Sequence, residues 1–92
     1  MAKTAARKRV IFKYRTKTEA KSVILAGSFN GWNTAANHLR KGKDGAWSTT
    51  VYLVPGTYEY LFIVDGEWKT DPTCELRYLN RYGGYNSLLI VG

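Results

Sequence analysis

The feature that most constrains this chain is a hydrophobic period of two. Val10, Phe12 and Tyr14 alternate with Lys13 and Arg15. Trp47, Thr49, Val51 and Leu53 alternate with Ser48, Thr50 and Tyr52. Tyr58, Tyr60, Phe62 and Val64 alternate with Glu59, Leu61 and Ile63. Val23–Ala26 is a short apolar run, and Leu89 and Val91 close the chain. Successive side chains of a strand leave on opposite faces, so runs of this kind, rich in β-branched and aromatic residues, predict short half-buried strands. The only helix-capable window, Thr34–Lys41, is too short to stand alone.

The punctuation agrees. Asp65-Gly66 sits between two runs and supports the positive φ angles of a type I′ hairpin turn. Pro55-Gly56 and Lys43-Asp44-Gly45 read as further turns, and Pro72 ends the strand before it because it cannot donate to a ladder. Residues 73–84 read as loop. The expectation is an all-β chain of six to eight short strands forming an antiparallel sandwich, in which two sheets bury each other's inner faces. There is no internal repeat and no linker. Residues 1–8 read as a basic, mobile N-terminal arm and residues 9–92 as one domain, since 92 residues leave no room for a second core.

The charge is polarised. Residues 1–21 carry eight Lys and Arg against Glu19 alone, which accounts for the whole net charge of +7; the remainder balances six basic against six acidic groups. A neutral body with a basic leader is not the broad basic face of a nucleic-acid domain, so nucleic acid ranks below other partners. The leader has no apolar h-region and is not a secretory signal, and no stretch approaches the ~20 apolar residues of a membrane span. One Cys and one His exclude a disulfide framework and a multi-ligand Cys/His metal site within one chain. The lone thiol and the lack of an Asn-x-Ser/Thr sequon favour a reducing, cytoplasmic setting. The initiating Met and the strand-like end at Val91 favour a free-standing chain.

Two segments invite a binding reading. Gly27-Ser28-Phe29-Asn30-Gly31-Trp32 and Val64-Asp65-Gly66-Glu67-Trp68 each place a Trp just past a turn at the end of an apolar strand. An indole held there with one face open is a platform for the apolar face of a sugar, for a base, or for a partner's side chain. A core or rim position for either ring is the alternative; Trp47, inside a strand, reads as core. Asn86 and Tyr82 in a later loop favour a shared platform. Asp65 reads as a turn residue and Asp71 as the residue before Pro72, rather than the two as a glycosidase pair, because catalytic carboxylates need a cleft that so small a sandwich rarely offers. No enzyme activity, cofactor or metal is expected. Leu61, Ile63, Leu88 and Ile90 make two strands apolar on both faces. Either the N-terminal strand or the 73–84 loop covers them, or they form a contact surface for another domain or a second copy.

From about Val23 to Val91 the chain resembles the family-48 carbohydrate-binding modules. These are the starch- and glycogen-binding domains of the AMP-activated kinase β-subunit and of branching and debranching enzymes. The resemblance rests on Val23–Trp32, Asp44-Gly45-Ala46-Trp47, Leu53–Tyr60, Phe62–Trp68, Asp71-Pro72 and Gly84-Tyr85-Asn86-Ser87, in that order. It implies a non-catalytic immunoglobulin-like (early-set) sandwich that binds α-1,4-glucans such as glycogen, starch or maltooligosaccharides. Trp32 and Trp68 would stack on successive glucose units, Asn86 would bond sugar hydroxyls, and Tyr82 would pack against the glucan. Where the family uses a Lys in the strand before the Asp-Gly turn, this chain has Leu61, with Lys69 as a weak substitute. The alternative is a degenerate sandwich that has kept the fold, lost the sugar and docks a glucan-active enzyme or another protein.

Overall fold

The computed structural model describes residues 6–92. The chain forms β1 (Lys8–Arg15), β2 (Val23–Gly27), β3 (Asn37–His38), β4 (Arg40–Lys41), β5 (Ala46–Leu53), β6 (Gly56–Val64), β7 (Glu67–Lys69), β8 (Arg77–Leu79) and β9 (Tyr85–Val91). A single turn of 3-10 helix, Ser28–Asn30, follows β2. One sheet has the order β1-β5-β4 and the other β3-β2-β6-β9-β8, and the ladders are antiparallel. The nine strands include the short β3 and β4, formed from the window that could have been helical. Asn37 and His38 pair with Leu25 and Ile24 instead, and Leu39 between the two strands is buried. The expected 73–84 loop contains β8, whose three residues are all exposed. Most of the expected N-terminal arm lies outside the described residues, and Lys8 already belongs to β1.

Strand β6 is the axis of the larger sheet. Tyr60–Val64 pair with β2 along one edge. Along the other edge Gly56–Tyr60 pair with β9 and Phe62–Val64 with β7. Its even-numbered residues face inward: Tyr60 and Phe62 are buried, and Tyr58 and Val64 pack against the core. From the smaller sheet come Phe12, Trp47 and Leu53; Val23, Leu25 and Val91 complete the filling. Aromatic rings bridge the layers. The Tyr60 ring lies 5.0 Å from Phe12 and the Tyr14 ring 5.0 Å from Phe62 across the layers, while Tyr60 and Phe62 are 5.8 Å apart along β6 itself. Each such pair contributes about 0.5–1.5 kcal/mol beyond the area it buries.

Asp71 is more than the residue before a proline. It is buried, and its Oδ2 accepts a 2.7 Å hydrogen bond from the Tyr60 hydroxyl. Its Oδ1 accepts from the Thr73 N–H at 2.9 Å and the Thr73 hydroxyl at 2.7 Å, while its own N–H donates to Ser87 Oγ at 2.8 Å. A buried carboxylate is tolerable only when satisfied in this way. Burial, and then the bond to Asp71, push the Tyr60 phenol well above its ordinary pKa.

Candidate functional site

Odd-numbered residues of β6 point away from the core and floor the outer face of the larger sheet. In register across this face, Leu61 stands beside Ala26, Ile63 lies between Ile24 and Trp68, and Glu59 stands beside Leu88. An open groove of about 1060 Å³ lies here. Of the residues singled out above, Trp32, Trp68, Asn86, Tyr82 and Leu61 line it.

Trp32 is placed by the turn after β2. Its N–H donates to the Gly27 carbonyl at 2.9 Å, and Gly31 and Trp32 both take positive φ, 65° and 60°. That conformation is natural for glycine and rare for a bulky side chain. The turn is braced by Asn30, whose Oδ1 accepts from the Gly27 N–H at 3.0 Å. Its Nδ2 donates to the Leu25 carbonyl at 3.2 Å and to Asn37 Oδ1 at 2.8 Å. Ser28 Oγ ties the turn to β6 by accepting from the Glu59 N–H at 3.1 Å.

Trp68 is placed by the hairpin between β6 and β7. Asp65 and Gly66 have φ of 48° and 86°, the pair of positive angles expected of the Asp-Gly turn. Asp65 Oδ1 accepts from the Lys21 and Ser22 N–H groups at 2.8 and 2.9 Å, which fastens the hairpin to the chain entering β2. The Trp68 side chain is 52% exposed and stands across the ladder from Ile63.

The third wall is the loop between β8 and β9. Asn80 Oδ1 accepts from the Tyr82 N–H at 2.9 Å and the Gly84 N–H at 3.1 Å, and its Nδ2 donates to Asn86 Oδ1 at 3.1 Å. Asn86 Nδ2 in turn donates to Glu59 Oε1 at 3.1 Å. Tyr82 is 82% exposed, with the Arg81 guanidinium 5.2 Å from its ring centre.

The remaining expected residues fall differently. Lys69 does not line the groove; it faces the other way from Trp68, opposite Phe62, and its ammonium pairs with Glu67 at 3.1 Å. Ile63 is only 6% exposed, flanked by Ile24 and Trp68, and offers no surface to a partner. Leu61 and Leu88 are half-buried, and Ile90 is 63% exposed. Glu59, Tyr78, Leu79, Asn80 and Arg81 also line the groove and were not anticipated. Glu59 had a legible signal, because it lies two residues from Leu61 and therefore on the same face. Among the described residues no cluster of three His, Cys, Asp or Glu could hold a metal ion. The groove is lined by aromatic faces, two leucines, two carboxamides, one carboxylate and one guanidinium, with no paired nucleophile and base. It can stack and hydrogen-bond.

A family model described as the glycogen recognition site of AMP-activated protein kinase matches residues 9–92. Among curated proteins the chain is 48% identical over 73 residues to Protein PTST homolog 2, chloroplastic, of Arabidopsis thaliana, covering 78% of this chain and 13% of that protein. It is 34% identical over 71 residues to the human 5′-AMP-activated protein kinase subunit beta-2, covering 77% and 25%. This chain thus spans a quarter or less of the length of these relatives. The structure of the maltogenic amylase from S. marinus shares the fold, with a TM-score of 0.78 and 23% identity over 96% of this chain and 14% of that one. The immunoglobulin-like early-set sandwich expected from the resemblance is thereby established, and the chain belongs to the glycogen- and starch-recognition family of carbohydrate-binding modules, family 48.

Proposed function

We propose that this chain binds an α-1,4-glucan without catalysis, in the groove on the outer face of the larger sheet. The observation that carries the reading is the convergence of Trp32 and Trp68, 36 positions apart in sequence, with the Asn86 and Tyr82 loop on that one groove. The two indoles would stack on the apolar faces of glucose units. Glu59 supplies a hydrogen-bond group for the hydroxyl edge, with Tyr82 at the rim. Asn86 is only 7% exposed and bonded to both Asn80 and Glu59, so it would reach a sugar hydroxyl only by exchanging one of those bonds and otherwise holds Glu59 in place. The backbone at Trp32 supports this, because a bulky residue held at φ 60° departs from the local optimum, and such departures gather at functional sites. A few stacked rings on an open face leave little surplus over ordering costs, so the affinity should fall on the order of micromolar to millimolar.

The test is titration with maltoheptaose or β-cyclodextrin, followed by tryptophan fluorescence, together with co-sedimentation on insoluble starch. Trp32→Ala and Trp68→Ala should each abolish retention while the circular dichroism of the fold survives. Retention unchanged in both variants would refute the platform. Leu61 in place of the family's lysine, together with the exposed Ile90, favours a second reading, a docking module with little sugar binding. That reading predicts no retention on starch and concentration-dependent association instead.

A further inference from the structure

The most open stretch of backbone lies on the other sheet. Strand β1 pairs with β5 along all eight of its residues and, among the described residues, with nothing on its other side. No backbone hydrogen bond joins it to any other segment among the described residues. The other strands that end the sheets, β3, β4 and β8, have two or three residues each. A long unpaired edge is a template for another strand, and proteins usually shorten or cover it. Here it is long, uncovered and charged. Arg9, Ile11, Lys13 and Arg15 alternate with the inward-facing Val10, Phe12 and Tyr14, and all four are exposed, Ile11 at 49%.

The side chains decide what can pair there. Arg15 is already engaged, with its guanidinium 3.1 Å from the Asp44 carboxylate. Arg9 and Lys13 form no ion pair among the described residues. A second copy of this chain is disfavoured, because antiparallel pairing about Ile11 would set Arg9 against the other copy's Lys13. Like charges directly opposite destabilise a ladder, and opposite charges support it. An acidic strand has the reverse relation, with an apolar side chain falling opposite Ile11.

We propose that the outer edge of β1 receives an extended acidic segment of a partner protein by strand addition. The segment has the pattern acidic-x-apolar-x-acidic, its two carboxylates opposite Arg9 and Lys13. Main-chain hydrogen bonds supply affinity and the alternate side chains supply selectivity. The site belongs to the smaller sheet and is separate from the groove, so it stands or falls independently of glucan binding.

The experiment uses the whole chain, ¹⁵N-labelled, and a short synthetic peptide built around Glu-Thr-Val-Thr-Glu at low ionic strength. Saturation should shift the β1 amide resonances and slow their hydrogen exchange by about tenfold. Reversing both cations, Arg9→Glu with Lys13→Glu, should weaken the peptide by about tenfold, since two supporting pairs become two opposing ones. Starch retention should be unchanged. Arg9→Ser with Lys13→Ser serves if the reversal perturbs folding. Two control peptides need no variant: one with Lys in place of Glu, and one N-methylated along its pairing edge, which keeps the charge and loses the ladder. Both should fail to bind. Equal binding by either control overturns the proposal, as does absence of any β1 response. Tighter binding of an oligothymidylate than of the acidic peptide also overturns it and assigns the face to nucleic acid.

Discussion

Trp32 provides a direct measure of what holding a ring in the groove costs. Its φ of 60° places an L-residue in the left-handed region, which disfavours any side chain with a Cβ by roughly 1–2 kcal/mol. Trp32→Ala and Trp32→Gly both delete the half-buried indole, so its packing cancels when the two variants are compared. They differ in the Cβ. Glycine escapes the left-handed penalty but loses about 0.5–1 kcal/mol more than alanine through the entropy of its unfolded chain. The balance leaves the glycine variant more stable than the alanine variant by roughly 0.5–1 kcal/mol. For a chain of this size that is a difference of roughly 2–8 °C in Tm. Urea titration and thermal melting, both followed by far-UV circular dichroism, read it directly. Starch retention should be lost in both, since neither has the ring. An alanine variant as stable as the glycine variant, or more so, would refute the claim that backbone strain is held at this position.

Gly27→Ala should destabilise the fold by about 1–3 kcal/mol in urea titration. Its Cβ would sit 2.6 Å from the Glu59 carbonyl oxygen and 2.6 Å from Phe29 Cε2, and the carbonyl belongs to β6 and cannot swing aside. Leu61→Lys restores the hydroxyl donor that the family resemblance leads one to expect. Retention on starch should strengthen by roughly 3–10-fold, the worth of one added hydrogen bond. Stability should fall as pH rises beyond about 10, by about 1.4 kcal/mol per pH unit for each phenol kept neutral by the fold. The Tyr60 phenol is pushed upward, so it stays protonated in the folded chain while the unfolded chain ionises. Its contribution is therefore complete below the ordinary tyrosine pKa and lost above it, and Tyr60→Phe should flatten the alkaline limb of a pH series of urea midpoints.

The alternation in residues 58–64 made β6 and its inward face legible, because Tyr60 and Phe62 are buried while Glu59 and Leu61 beside and between them are not. The Asp65-Gly66 turn was legible for a local reason, its two positive φ angles. Strand β8 was not, since Arg77, Tyr78 and Leu79 are all exposed and carry no burial rhythm. Strands β3 and β4 exist only through partners distant in sequence, a relation that local propensity does not encode. In the groove, Trp32 and Trp68 announced themselves as large rings beside turns. The tie between Glu59 and Asn86 did not, because it joins residues 27 apart and follows from the pairing of β6 with β9. For Ile63 the alternation gives only an outer-face position, covered or open, and its place between Ile24 and Trp68 across the two ladders is what buries it.

The side chain of Asn80 has a consequence for timing. By gripping the Tyr82 and Gly84 amides and the Asn86 carboxamide, it closes the loop onto itself before any sugar arrives. Association with a short maltooligosaccharide should therefore follow a single exponential whose rate grows linearly with sugar concentration. Asn80→Ala would introduce a slower, saturating step as the loop gathers around its guest.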